Sequence, residues 1–130
     1  MYKGAILCVD DERMILDSLK SQLNRAFGAK YLIEITESAD EALEILEEFI
    51  EDKVESVVII SDWLMPGMKG DEFLIQANNI IPNVSSILLT GQADNEAIEN
   101  AKNNANLHKL IFKPWNVNEL ITAIQTGMNK

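Results

Sequence analysis

Two kinds of apolar pattern alternate along this chain. Short continuous runs of apolar residues are typical of buried strands, and apolar residues spaced three and four apart are typical of amphipathic helices. The predicted strands are 5–9, 31–36, 57–61, 84–90 and 109–112. The predicted helices are 15–27, a segment after Ser38, 71–80, 93–104 and a segment after Asn116.

Several helix ends carry their own signals. Gly28 stands where the first helix stops, and Pro82 closes the third helix. Ser38 with Glu41 three residues later forms a predicted capping box for the second helix, and Asn116 with Glu119 caps the last helix.

Alternating strands and helices with short connections predict an α/β fold with right-handed crossovers. The expected architecture is a three-layer, doubly wound (βα)5 sandwich around a five-stranded parallel sheet. The third strand is apolar without alternation, which favours a central position covered by helices on both faces. A length of 130 residues fits a single domain over 1–130. The pattern alone leaves the order of the strands open.

Composition narrows the range of partners and compartments. A net charge of −10 and a pI of about 4.4 disfavour direct binding to nucleic acid or to an anionic membrane. Cys8, the single cysteine, lies inside an apolar strand and is interpreted as a core residue of a protein in a reducing compartment. The first apolar run is too short for a signal peptide or a membrane span, so we expect a cytoplasmic location.

Polar residues stand at the ends of four of the predicted strands. Asp10 and Asp11 follow the first strand, Asp62 follows the third, Thr90 ends the fourth and Lys113 follows the fifth. Because parallel strands end at one edge of the sheet, these side chains are expected to converge. Each of them taken singly is more typical of a turn, a helix cap or a solvated strand end, and their joint placement favours a functional site.

The chemistry of such a site follows from its charges. Three neighbouring carboxylates repel one another, and a bound cation relieves that repulsion. Ligands that are all oxygen atoms favour Mg²⁺ or Mn²⁺ over zinc. A carboxylate beside such an ion can attack a phosphoryl group, whose oxygens Lys113 and Thr90 would then contact.

The loop after the third strand carries a more specific pattern. It reads Asp62-Trp63-Leu64-Met65-Pro66-Gly67-Met68-Lys69-Gly70, and its spacing to Asp10-Asp11, Thr90 and Lys113-Pro114 completes a set. With these motifs the chain closely resembles, over essentially its whole length, the CheY-like receiver domains of two-component response regulators. The resemblance implies a flavodoxin-like sheet in the order 2-1-3-4-5.

The resemblance also implies a role for each residue of the site. Asp62 would take a phosphoryl group from a histidine kinase or a phosphotransfer protein. Mg²⁺ would be held by Asp11, Asp62 and the backbone carbonyl of Leu64, with Asp10 orienting a metal-bound water. Thr90 and Lys113 would hold the phosphoryl oxygens, and the small Gly91 would leave the phosphoryl group accessible.

Further consequences of the resemblance concern signalling. The expected product is a changed surface on the fourth helix, fifth strand and fifth helix, which would control an output domain or a partner protein and support a homodimer. Catalysis would be limited to phosphorylation and dephosphorylation of the domain itself. Leu64 and Gln92 occupy positions that influence access of water to the acyl phosphate. Leu110 stands where receivers commonly carry an aromatic ring that moves with the threonine, so another route to the surface is expected.

Other residues near the motifs have simpler interpretations. Trp63 and Trp115 are each interpreted as packing residues that together rim the pocket or a docking face. His108 is expected to be an exposed loop residue. The fourth helix is rich in asparagine and has small apolar residues, so we expect it to dock loosely and to move.

Three other functions compete with a phosphoacceptor. A haloacid-dehalogenase-like phosphatase also uses aspartate, Mg²⁺, threonine and lysine, but places its nucleophile in an Asp-x-Asp pattern after the first strand, where this chain has Asp10-Asp11-Glu12. A nucleotide- or flavin-binding domain would carry a glycine-rich loop there. An inert pseudo-receiver is disfavoured by the complete set of acidic and phosphate-contacting residues.

Overall fold

The structure, a computed structural model, describes residues 2–129. Strands and helices alternate along the chain as the apolar pattern predicts. The strands are β1 Gly4–Val9, β2 Tyr31–Thr36, β3 Ser56–Ser61, β4 Ser85–Thr90 and β5 Leu107–Phe112. The helices are α1 Arg13–Phe27, α2 Ala39–Glu51, α3 Gly70–Ile80, α4 Asn95–Asn104 and α5 Val117–Met128.

All five strands pair in parallel in the order β2-β1-β3-β4-β5. This confirms the flavodoxin-like α/β fold. The chain runs from β1 to the β2 edge and then returns to β3 on the other side of β1, so the winding reverses between β1 and β3. In open sheets of this kind, ligands bind beyond the carboxyl ends of the strands at that reversal.

Two apolar cores lie on the two faces of the sheet. Successive residues of β1 point to opposite faces, so that Leu7 packs with α2 and α3 while Ile6 and Cys8 pack with α1 and α5. Every residue of β1 is buried, as expected for a strand covered on both faces. None of the helices between residues 2 and 129 combines the length and apolarity needed to cross a membrane.

The predicted helix caps are present with one difference. The side chain of Ser38 accepts a hydrogen bond from the backbone amide of Glu41, the third residue of α2. The side chain of Asn116 accepts one from the amide of Glu119, the third residue of α5. The Glu41 carboxylate, however, accepts a hydrogen bond from Thr36 Oγ1 at 2.6 Å rather than closing the box onto Ser38. Asp94 caps α4 through the Ala97 amide at 2.7 Å, a cap that the sequence interpretation did not assign.

The prediction for His108 is wrong. It lies inside β5, half-buried, and its Nε2 is 3.1 Å from the Ala123 carbonyl oxygen and 2.8 Å from Thr126 Oγ1. β5 begins at Leu107, two residues before the predicted start at residue 109, and its pairing with β4 is irregular there: Ser86 pairs with Leu107, and Ile87 pairs with Lys109. The unpaired residue interrupts the two-residue alternation that identifies a strand.

The start of β4 contains two buried serines with different surroundings. Ser85 Oγ donates a hydrogen bond to the Gly127 carbonyl at 2.9 Å, whereas Ser86 Oγ is the one buried side-chain polar atom within residues 2–129 that lacks a hydrogen-bond partner. We expect Ser85→Ala to lower the free energy of unfolding by about 1 kcal/mol, and Ser86→Ala to leave it unchanged or raise it by about 1 kcal/mol. Urea unfolding of both variants measures the difference. Equal losses in the two variants would contradict this assignment.

Cys8 is fully buried, as predicted. Burial, together with the charge of Asp10, raises the pKa of the thiol to about 12. Because the thiolate is the reactive form, we expect almost no alkylation of the native protein by iodoacetamide at pH 8 and rapid alkylation of the same protein in urea. Mass spectrometry measures both rates. Similar rates in the two conditions would mean that the β1 core opens readily.

Candidate functional site

Three aspartates meet at the reversal point of the sheet. Asp10 and Asp62 directly follow β1 and β3, whose last residues Val9 and Ser61 pair in register. The Asp62 amide donates to the Val9 carbonyl at 3.0 Å, which keeps the two strand ends level. One carboxylate oxygen from each of Asp10, Asp11 and Asp62 lies within 4.8 Å of the others. The expected convergence of the three aspartates is therefore present.

Lys113 joins this cluster from the end of β5. Its Nζ donates to Asp10 Oδ2 at 2.7 Å and to Asp62 Oδ2 at 3.1 Å, and it lies 3.9 Å from Glu12 Oε1. The Lys113 amide donates to the Thr90 carbonyl at 3.0 Å, which ties the lysine to the end of β4. One ammonium thus bridges two carboxylates that are 2% and 6% exposed as whole residues.

Burial and charge have opposite effects on the pKa values of Asp10 and Lys113. Burial raises the pKa of Asp10, and the hydrogen bonds from Lys113 and from the Glu12 amide offset only part of that rise. Burial alone would lower the pKa of Lys113, but the hydrogen bond and charge of Asp10, assisted by Asp62, outweigh it and raise the pKa. Lys113 is therefore a charged ammonium at neutral pH.

Asp62 has a hydrogen-bond donor on each carboxylate oxygen. Oδ1 accepts from the backbone amide of Trp63 at 2.7 Å, and Oδ2 accepts from Lys113. Helix α3 begins close to this residue, since the Gly70 amide donates to the Trp63 carbonyl at 2.8 Å. The turn between them includes Gly67 with φ of +85°, a backbone conformation that favours glycine.

Thr90 is engaged with its own loop. Its hydroxyl donates to the Gln92 carbonyl at 2.9 Å and accepts from the Gln92 amide at 3.2 Å. The predicted contact of this hydroxyl with a phosphoryl oxygen therefore requires it to leave the Gln92 carbonyl. Thr90 lies opposite Phe112 in the β4–β5 pairing, so movement of the loop after Thr90 takes place next to β5.

A cleft of about 550 Å³ opens over the aspartates. Predicted site residues at its wall include Asp11, Asp62, Leu64, Thr90, Gly91, Gln92 and Lys113. Lys69 and Glu12 also line it, although the sequence interpretation gave neither a role. Lys69 lies in the loop after β3 and Glu12 lies in the acidic run after β1, two segments that the sequence pattern links to function. Their position along the chain is therefore the signal that could have identified them.

The two tryptophans and Leu110 lie outside the cleft. Trp63 and Trp115 are half-buried packing residues, as expected, but they lie on opposite faces of the sheet. The expectation that together they rim the pocket is wrong, because neither lines the opening over the aspartates. Trp63 Nε1 donates to Asp71 Oδ1, and Trp115 Nε1 donates to Gln22 Oε1. Leu110 packs against the core that α2 and α3 cover, and Phe112 is 55% exposed.

Comparison with known proteins agrees with this geometry. The family model described as "Response regulator receiver domain" matches residues 6–125. The chain belongs to the response regulator receiver domain family. As such it is a signalling domain of two-component systems, homologous to a family of phosphoacceptor domains.

Individual relatives share the domain over nearly its full length. The hydrogenase transcriptional regulatory protein HoxA of Cupriavidus necator is 32% identical over 97% of this chain, and the transcriptional regulatory protein YesN of Bacillus subtilis is 32% identical over 96%. The receiver domain spans only 24% and 32% of these two proteins. A CheY-like receiver domain structure from Methanospirillum hungatei is 32% identical, with a TM-score of 0.84 over 99% of this chain and 95% of the other.

Proposed function

We propose that this receiver domain accepts a phosphoryl group on Asp62 in a Mg²⁺-dependent reaction and signals through the surface of α4, β5 and α5. The observation that supports this most is the Lys113 ammonium at 3.1 Å from Asp62, beside three carboxylates within 4.8 Å of one another. Such a site offers a nucleophile, a place for a divalent cation and a fixed positive charge for the transferred group.

The donor set fits Mg²⁺. The cluster supplies oxygen ligands only, and Asp11 is exposed, so water can complete the octahedral shell that this ion prefers. Asp11, Asp62 and the Leu64 carbonyl would hold the ion, and Asp10 would orient a water bound to it. The ion would neutralise charge on the phosphoryl oxygens during transfer.

The transfer itself needs one nucleophilic oxygen. An Asp62 carboxylate oxygen forms a bond to phosphorus while the phosphorus–nitrogen bond of a donor phosphohistidine breaks, and the electron pair returns to the imidazole. Lys113 then moves from neutralising Asp62 to contacting a phosphoryl oxygen. The Thr90 hydroxyl turns from the Gln92 carbonyl to another phosphoryl oxygen, which links phosphorylation to the position of the β4–α4 loop.

Leu64 stands at the mouth of the cleft and is 43% exposed. An apolar side chain there keeps water from the acyl phosphate, whereas an amide would hydrogen-bond water beside it. We expect Leu64→Asn to shorten the lifetime of phosphorylated Asp62 several-fold, measured by loss of label over time. Ile50→Asn on α2, which changes an exposed apolar residue away from the cleft, is the matched control. Equal lifetimes in both variants would exclude shielding by Leu64.

Partners follow from the proposed chemistry and from the relatives. The donor would be a histidine kinase or a phosphotransfer protein. Two relatives are transcriptional regulatory proteins three to four times longer than the matched segment, so we propose an output domain or partner protein as the target of the changed surface. A phosphorylation-dependent homodimer through α4, β5 and α5 and a cytoplasmic location complete the proposal.

Incubation with acetyl phosphate and Mg²⁺ tests the function. We expect intact mass spectrometry to show one added phosphoryl group per chain in the native protein and in Asp17→Asn, an exposed α1 control, and none in Asp62→Asn. A chain that instead hydrolyses many equivalents of a phosphomonoester such as p-nitrophenyl phosphate would be a phosphatase. Labelling that survives in Asp62→Asn would refute the assignment of the phosphoacceptor.

A further inference from the structure

Asp71 connects two parts of the molecule that are far apart in sequence. It lies at the start of α3 and is 7% exposed. Its Oδ1 accepts from Trp63 Nε1 at 3.0 Å, and its Oδ2 accepts from Asn100 Nδ2 of α4 at 2.8 Å. The Asn100 amide oxygen accepts from Asn104 Nδ2 at 2.8 Å, which fixes the orientation of the amide.

Trp63 carries this connection to the phosphoacceptor. Its backbone amide donates to Asp62 Oδ1 at 2.7 Å, and its ring lies 5.4 Å from the Lys69 ammonium. Lys69 lines both the cleft over the aspartates and the groove between α3 and α4. A continuous set of contacts therefore runs from the Asp62 carboxylate through Trp63 and Asp71 to α4.

Helix α4 packs against the rest of the domain through little apolar surface. Its buried residues are Ala97 and Ala101, two small side chains that contribute little apolar area. A charge-assisted hydrogen bond to a buried carboxylate is stronger than a neutral one. The bond between Asn100 and Asp71 is therefore a large part of what fixes the position of this helix.

We infer that Asp71 is a positioning residue whose hydrogen bond with Asn100, the Asp71 tie, holds α4 in place while Asp62 is unphosphorylated. Phosphorylation of Asp62 weakens the Asp71 tie. The inference rests on the proposed function of Asp62. Phosphorylation bonds one carboxylate oxygen to phosphorus, so the Trp63 amide no longer faces a full carboxylate charge. The Trp63 backbone then shifts, the indole moves relative to Asp71, and Asn100 loses its fixed acceptor. This route to α4 requires no aromatic ring at Leu110.

Such a tie has a thermodynamic signature. If Asp71 favours the unphosphorylated arrangement, cutting the tie lowers the cost of reaching the phosphorylated arrangement. By reciprocity, a phosphoryl mimic then binds more tightly. A residue that only stabilised the fold would behave in the opposite way, because its loss would weaken the binding of the mimic.

Two variants and two matched controls test the tie. Asp71→Asn keeps one acceptor oxygen but presents an amide nitrogen to one of the two donors, and Glu72→Gln makes the same charge change at the exposed neighbour. Asn100→Ala removes the α4 donor, and Asn103→Ala makes the same substitution at an exposed position of α4. The probe is beryllofluoride with Mg²⁺, followed by hydrogen exchange of residues 95–104 and by titration of tryptophan fluorescence.

We expect α4 to exchange about fivefold faster in Asp71→Asn and Asn100→Ala than in the native protein before beryllofluoride is added. Beryllofluoride should accelerate exchange in the native protein and in both controls, and add little in the two variants. The apparent affinity for beryllofluoride should rise about fivefold in both variants, in line with a coupling free energy at the lower end of those measured between sites.

The outcomes distinguish a failure of the role inferred for Asp71 from a failure of the function proposed for Asp62. Unchanged α4 exchange in both variants, or weaker binding of beryllofluoride by them, overturns the inference and leaves the function of Asp62 standing. If the native protein fails to bind beryllofluoride in the presence of Mg²⁺, the proposed function fails and the inference fails with it. Variants and controls that respond alike show that α4 is held by other contacts.

Discussion

Replacing Lys113 with Met is expected to destabilise the domain by about 3 kcal/mol in the absence of divalent cations, because removing one partner of a buried ion pair leaves charge without compensation. Lys113 Nζ bridges Asp10 and Asp62 at 2.7 and 3.1 Å, and its side chain is only 13% exposed. Methionine keeps most of the aliphatic stem and removes the ammonium, so packing is largely preserved. Chemical unfolding in the presence of a chelator measures the loss.

Magnesium should restore much of that stability. Without the lysine, the three carboxylates lose the ammonium that bridges two of them, so a cation binds them more strongly than in the native protein. A ligand at about 100 times its Kd stabilises the folded state by about 2.7 kcal/mol. We therefore expect Mg²⁺ to raise the Tm of Lys113→Met more than that of the native protein or of Lys109→Ala, an exposed control on β5. Equal Mg²⁺ effects in all three would contradict a shared site for the cation and the lysine.

Gly70→Ala is expected to have a comparably large effect through a different cause. A Cβ at Gly70 would lie 2.1 Å from the Asp62 carbonyl oxygen and 2.7 Å from the Trp63 Cα, and both are backbone atoms that cannot rotate away. The start of α3 must then shift away from the loop that follows β3. We expect a loss of about 3 kcal/mol in unfolding free energy and, in the proposed reaction, much slower labelling of Asp62.

Gly91→Ala is the matched control for this substitution. A Cβ at Gly91 meets no heavy atom within 4 Å, although the residue lines the same cleft. Its unfolding free energy should change by about 0.5 kcal/mol or less. A Gly70→Ala variant as stable as Gly91→Ala would show that the α3 start does not depend on close approach to Asp62.

The fold could be predicted because its determinants are local. Alternating apolar patterns identify strands and helices, and parallel strands force Asp10, Asp62, Thr90 and Lys113 to one edge. The β5 start was missed because a pairing irregularity at His108 breaks the two-residue repeat, a feature set by the neighbouring strand. The order of the strands came from family resemblance, since strand patterns alone do not encode which neighbours pair.

The details of the site depend on contacts between distant residues, which a single sequence does not specify. Asp71 joins the loop after β3 to α4. In sequence it is a charged residue near a helix start, which is typical of a solvated side chain. It is buried because Trp63 and Asn100 both donate to it. Likewise, the side chain of Thr90 was expected to face the site, and the structure shows its hydroxyl bonded to the Gln92 backbone.

The proposed switch differs from one that depends on an aromatic ring in β5. Leu110 packs into the core, and the exposed Phe112 lies opposite Thr90 at the end of the sheet. In the proposed switch, movement of the loop after Thr90 and release of the bond between Asp71 and Asn100 would both act on α4. Small displacements at Asp62 can therefore change the surface of α4 and β5 without movement of a core ring.

Chemical mapping of the phosphorylated residue tests the proposed role of Asp62 most directly. After treatment with acetyl phosphate and Mg²⁺, borohydride reduces an aspartyl phosphate to homoserine, which peptide mass spectrometry locates. We expect homoserine at position 62 alone, and none when Mg²⁺ is removed by a chelator. Homoserine at position 10 or 11, or no modified residue in fully folded protein, would contradict it.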